Sequence, residues 1–199
     1  MDAIAPGNGG NGQLVNVVIA VIGDSGSDAT FRTDYWAFSN GPLATPTQII
    51  DDFEDGLPNG TDSNGVTIGF FTFSDGSPVS IATTDAPPAP LPGSTAGNNV
   101  MALTGDVVAF AGFIHGFENT AVDTWVPQDW SSFAGFSFWL YGQNTGTTLF
   151  VDILDNRNPG STSDDAERFT VTLTDDFSGW QQFEFPFSSF VRKEIGNGA

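Results

Sequence analysis

Apolar and polar positions alternate with a period of two along most of this chain, and no apolar period of 3.6 survives three turns without Gly, Pro or a β-branched run. The pattern predicts an all-β chain. Candidate strands are Leu14–Ile22, Thr30–Ser39, Ile49–Glu54, Thr67–Phe73, Val79–Thr83, Asn99–Leu103, Val107–Glu118, Phe136–Tyr141, Thr148–Leu154, Arg168–Leu173 and Trp180–Phe187, with Asn, Gly, Asp and Pro clusters between them. About ten short strands separated by turn signals predict two packed antiparallel sheets, a jelly-roll β-sandwich. Within the strands the alternation sets Phe136, Phe138 and Leu140 opposite Ser137, Trp139 and Tyr141, and Phe169, Val171 and Leu173 opposite Arg168, Thr170 and Thr172. One face of each strand is core and the other is polar with aromatics. The run Ala86-Pro87-Pro88-Ala89-Pro90-Leu91-Pro92 lacks the N–H donors a sheet needs and reads as a loop. The strand patterns before it are too few to close a sandwich alone, so it is not expected to be a linker.

Length and composition narrow the function. At 199 residues the chain suits a single large β-sandwich with a substantial core. Five Lys and Arg against 24 Asp and Glu give a net charge of −19, which repels nucleic acid and anionic membrane surfaces and favours cations and neutral partners. With no cysteine, disulfides, thiolate metal sites and Cys nucleophiles are excluded. The apolar stretch Leu14–Ile22 is broken by Asn16, is too short to span a bilayer, and reads as a buried strand. Low Lys content with abundant Phe, Gly, Pro, Ser, Thr and Asn fits an extracellular, secreted or cell-surface β-protein. Asn59-Gly60-Thr61 is a sequon that matters only in a glycosylating host.

Several motifs stand in a recognisable order: Ile50-Asp51-Asp52-Phe53-Glu54-Asp55-Gly56, then Asp129-Trp130-Ser131-Ser132-Phe133-Ala134-Gly135-Phe136-Ser137-Phe138-Trp139, then Asp175-Asp176-Phe177-Ser178-Gly179-Trp180 with Pro186-Phe187. Through them the stretch from Ile49 to Ala199 resembles the galactose-binding-like, jelly-roll carbohydrate-binding modules of bacterial β-glucanases, of the family-11 and exo-β-glucanase C-terminal types. Such modules continue past the Pro186-Phe187 strand through two more strands, whereas here the equivalent pair stands at the front. The order resembles a circular permutation. The resemblance therefore implies one module over 1–199: N-terminal strands in 1–40, a connection at 41–48 and the main body at 49–199. Two arrangements are open. Residues 41–48 reach at most about 27 Å, enough to fold the arm back onto its own body. Alternatively the arm completes the next subunit, and head-to-tail strand donation grows a filament.

The function implied is non-catalytic recognition of a β-glucan-like polysaccharide, and the cofactor implied is calcium. Hard oxygen ligands abound, and related modules hold Ca²⁺ where first and last strands meet, which points here to Asp34 and Glu54, with Asp52 and Asn98. The alternative is a set of solvated strand-end acids. Sugar C–H faces stack on aromatic rings while hydroxyls need planar donors and acceptors. The outward residues Trp139, Tyr141, Asp152, Arg168 and Gln182 have that composition, and Trp125, Asp155 and Arg157 extend it; the alternative for Trp139 is a loop above it. Trp130 and Trp180 read as structural, Trp36 as core or subunit interface, and His115 either as a satisfied structural histidine or as a sugar-hydroxyl contact. No motif pairs carboxylates or builds a Ser-His-Asp triad, so an enzyme is not predicted.

Overall fold

Each alternating run buries its apolar face against another, and in the computed structural model, which describes residues 13–22, 27–39, 48–155 and 161–197, this produces two antiparallel sheets packed face to face. The strands are β1 (Gln13–Ile22), β2 (Ser27–Ser39), β3 (Gln48–Asp51), β4 (Asn59–Thr61), β5 (Thr67–Ser74), β6 (Val79–Thr84), β7 (Val100–Val107), β8 (Phe110–Gly116), β9 (Gln128–Asp129), β10 (Gly135–Gln143), β11 (Thr148–Asp155), β12 (Glu167–Thr174), β13 (Ser178–Pro186) and β14 (Val191–Arg192), with one 3₁₀ turn at Phe187–Ser189. The larger sheet runs β14-β12-β11-β1-β8-β5-β4, with β9 also on β1; the smaller runs β13-β10-β2-β7-β6, with β3 also on β2. Among the described residues no helix is long and apolar enough to cross a membrane.

The inward positions are those the alternation selects. Val17 and Ile19 of β1, Phe113 of β8, Val151 and Ile153 of β11 meet Trp36 and Phe38 of β2 and Phe136 and Phe138 of β10, all 0 % exposed. Trp36 sits at the centre, edge-on to Phe53 and Phe136 at 5.9 and 5.6 Å, and its indole donates to Thr33 Oγ1 at 2.7 Å. Burial of these rings supplies the drive to fold, at about 25 cal/mol per Å² of apolar surface. Trp130, 2 % exposed and edge-on to Phe187 at 4.4 Å, packs a turn onto the core as predicted.

The N-terminal arm lies in the middle of both sheets. β1 pairs with β11 and β8, and β2 with β10 and β7. β2 also pairs antiparallel with β3, the next strand in the chain, setting Phe38 opposite Gln48, so the two form a hairpin within one chain. Strand boundaries depart from the sequence reading at three places. β3 stops at Asp51, whose Oδ1 accepts from the Phe53 N–H at 2.6 Å and holds Phe53 at φ 60°, so the run to Glu54 is a turn. β7 continues to Val107 and the reversal falls at 108–109, because Asp75 Oδ2 and Ser77 Oγ accept the Ala109 and Val108 N–H groups there. β4, β9 and β14 are two or three residues long and carry no readable period.

Candidate functional site

The residues that sequence alone assigned to one sugar-binding face lie on opposite sides of the sandwich. Asp152 and Arg168 point outward from β11 and β12 of the larger sheet. Trp139, Tyr141 and Gln182 point outward from β10 and β13 of the smaller sheet. Alternation fixes which side of its own strand a residue takes but not which sheet the strand joins, and this is why the set divides. Arg157 lies outside the described residues, and Asp155 is fully buried at the end of β11.

On the larger sheet, cross-strand register brings Thr170, Asp152, Val18 and Ile114 into one row and Arg168, Leu154, Asn16 and Gly116 into the next. At Gly116 there is no room for a side chain: a Cβ would come within 2.9 Å of the Trp125 ring, with Asn16 Nδ2 at 3.8 Å. The indole of Trp125 therefore lies over the strand beside the Asn16 amide, oriented by a 3.0 Å hydrogen bond from its Nε1 to Asp62 Oδ2. Asp152, 1 % exposed, accepts from Lys193 Nζ at 2.9 Å through Oδ2, and the same ammonium stands 5.2 Å from the Phe150 ring. Arg168 pairs with Asp164 through one terminal nitrogen. Among the described residues, both amide atoms of Asn16, Asp152 Oδ1, Arg168 Nε and Thr170 Oγ1 are buried and make no hydrogen bond. Such atoms cost about 1–3 kcal/mol each when left unmade, and five of them lie together on adjacent strands of the larger sheet. Asn16, Thr170 and Lys193 were missed by sequence reasoning; Asn16 had a signal, as the one polar residue inside an apolar strand, and Lys193 had none.

On the smaller sheet, Tyr141 stands between Trp180 and Arg32, and Trp139 between Gln182 and Asp34. Tyr141 and Trp180 meet edge-on at 5.3 Å. Trp180 was expected to pack a turn on the core; instead it occupies the outer face, because its parity on β13 is that of Gln182 and not of Phe183. The Pro-rich loop after β6 reaches across to it, and the Trp180 indole donates to the Ala89 carbonyl at 2.7 Å. Arg32 Nε is buried on this face without a hydrogen bond.

His115 belongs to neither face. It points inward from β8, stacked on Phe70 at 3.9 Å, with Nε2 3.2 Å from Glu118 Oε2. It lines an open cleft at one end of the sandwich with Asp51, Glu118, Gln48 and Gln128. Burial pushes the Asp51 carboxyl upward.

Of the residues predicted as metal ligands, Asp34 and Asn98 are hydrogen-bonded to each other, and Glu54 bonds to Asn99, the neighbour of Asn98. Asn98 Nδ2 donates to Asp34 Oδ2 at 2.7 Å, the Tyr35 N–H donates to Asp34 Oδ1 at 2.7 Å, and Glu54 accepts from the Asn99 N–H and side-chain amide at 2.8 and 3.1 Å. Burial raises the Asp34 carboxyl to about 6, against the lowering by Asn98 and Tyr35, and the like charges of Glu54 and Asp52 push the same way. A desolvated carboxylate beside two further acids suits a hard divalent cation. Among the described residues, however, no three acidic or imidazole side chains form a ready metal cluster, and the amides hold the oxygens that a cation would take.

Residues 38–195 match the family model described as carbohydrate binding domain (family 11). The match leaves β1 and most of β2 outside it. No curated protein and no solved structure matches the chain.

Proposed function

This chain belongs to the family-11 carbohydrate-binding domains, a non-catalytic family, and from that premise we propose that the outer face of its larger sheet holds a neutral β-glucan-like polysaccharide. The observation that carries this reading is the gathering of planar and hydroxyl groups that keep hydrogen-bonding atoms unused, Asn16, Asp152 Oδ1, Arg168 Nε and Thr170, beside an indole. A pyranose presents vicinal hydroxyls that donate and accept in pairs, and a carboxylate, an amide and a guanidinium answer them with planar, two-point geometry. A sugar approaching over half-exposed Arg168, Thr170 and Phe150 meets Asp152 and Asn16 behind them. Lys193 fixes Asp152 by its 2.9 Å hydrogen bond, and the rim of the Trp125 indole, 7 % exposed, supplies the apolar contact for the C–H side of a ring. Neutral glucan fits the charge, because −19 repels acidic polysaccharides. Affinity electrophoresis through neutral β-glucans tests the reading: wild type is retarded more strongly than Asp152→Ala. Equal mobility of the two would overturn it.

Two further parts of the reading concern setting and cofactor. The domain acts outside the cell, where polysaccharide is met, in keeping with its low Lys content. Calcium binds at Asp34 and Glu54, with Asp52 and the Asn98 side chain beside them, once the Asn98 and Asn99 amides turn away. Its role there is to join β2 to the β3–β4 turn, on the side of the sandwich opposite the larger-sheet face. Self-association by strand donation is not favoured, since the arm would have to open the Phe38–Gln48 hairpin pairing that it makes with its own chain.

A further inference from the structure

We propose that the outer face of the smaller sheet is a second, independent sugar-binding surface, so that one domain bridges two polysaccharide chains. The inference rests on the polysaccharide reading above and extends it to a site on the other side of the sandwich. Trp139, Tyr141 and Trp180 rise from adjacent strands β10 and β13, all half-exposed. That is the surface a pyranose stacks on, an aromatic patch with no partner in the core. Planar polar groups are interleaved with it: Gln182 directly across from Trp139, Arg32 directly across from Tyr141, and exposed Gln143 at the end of β10. Arg32 is partly exposed on this face, and its Nε, buried beneath, makes no hydrogen bond within the chain.

Two features make this a prepared surface rather than incidental exposure. The Trp180 indole is fixed by the Ala89 carbonyl, and its ring is braced edge-on by Tyr141. The Pro-rich loop that supplies the carbonyl leaves the far edge strand β6, crosses the outer face of the smaller sheet and stands as a wall beside Trp180 on β13. Prolines hold that wall with little entropy left to lose on binding. The two faces share no residue, and the sheets between them lie about 10 Å apart, so neither ligand obstructs the other. A monomer with two opposed sites cross-links a polymer, which a domain with one site cannot do.

Calorimetry with a soluble neutral β-glucan hexasaccharide decides the matter, with the oligomeric state fixed by light scattering. Wild type binds two molecules per monomer, Trp139→Ala and the milder Gln182→Ala each bind one, and Asp152→Ala also binds one. On soluble high-molecular-weight β-glucan, wild type raises the scattered intensity at low molar ratio and loses the effect in excess, while each single-face variant is retarded in the gel but gives no rise. A wild-type stoichiometry of one, abolished by Asp152→Ala and unchanged by Trp139→Ala and Gln182→Ala, overturns the second site and leaves the first standing. Absence of any binding overturns both.

Discussion

Asp34 shows how a single carboxyl ties the fold to pH. Its folded value of about 6 lies above the ordinary 3.8, so between those values the native state holds a proton that the unfolded chain has released. Stability contributed by this group is full below about pH 4 and is lost as pH rises through 6, by on the order of 2 kcal/mol. Asp51 shifts in the same direction through its own burial and adds to the slope. Melting temperature followed from pH 4 to 7 in chelator should therefore fall, and Asp34→Asn should flatten the curve. Calcium added at pH 7 should restore the loss in wild type and not in Asp34→Asn; a melting temperature unmoved by calcium contradicts the proposed cation site. On the larger sheet the carboxyl that bears on stability is Asp152, through its hydrogen bond with Lys193. Its removal leaves Lys193 without its 2.9 Å partner, so Asp152→Asn, which keeps shape and an acceptor, is expected to retain more stability than Asp152→Ala while both lose sugar affinity about tenfold or more.

At the scale of elements, β1 and β2 matter most because each is flanked on both sides. Without β1 the larger sheet divides between β11 and β8, and without β2 the smaller divides between β10 and β7. Ile19→Ala, at a fully buried position of β1, should cost about 2–5 kcal/mol, whereas Val191→Ala, 45 % exposed on edge strand β14, should fall within about 0.5 kcal/mol of wild type by urea titration. Much of this arrangement was legible in the sequence. Period-two runs located the long strands and their inward faces, and the Pro-rich run located a loop. Which strand neighbours which was not legible: Trp139 and Arg168 have the same local pattern, and only long-range pairing sends them to opposite sheets. The same limit hid Lys193, which reaches Asp152 because Lys193 N–H donates to the Arg168 carbonyl at 2.8 Å. Trp180 was misread for a local reason, since its motif position suggested a turn while its parity on β13 turns the ring outward.

The whole molecule is an acidic sandwich completed by its own N-terminal arm, with polar and aromatic groups on both outer faces. Because the arm closes a hairpin on its own chain, light scattering should return a monodisperse monomer of 21.0 kDa with and without chelator; ordered fibres would require the hairpin to open. With its net charge of −19 the monomer should not bind DNA at physiological salt. The central claim is that the larger sheet recognises neutral β-glucan through Asp152 and its neighbours. Its most direct test is affinity electrophoresis on mixed-linkage β-glucan with wild type, Asp152→Ala and Trp125→Ala, each verified as folded by circular dichroism. Retardation of wild type with loss of at least about tenfold in affinity in both variants is the predicted result. Unretarded wild type, or variants retarded as strongly as wild type, would contradict it.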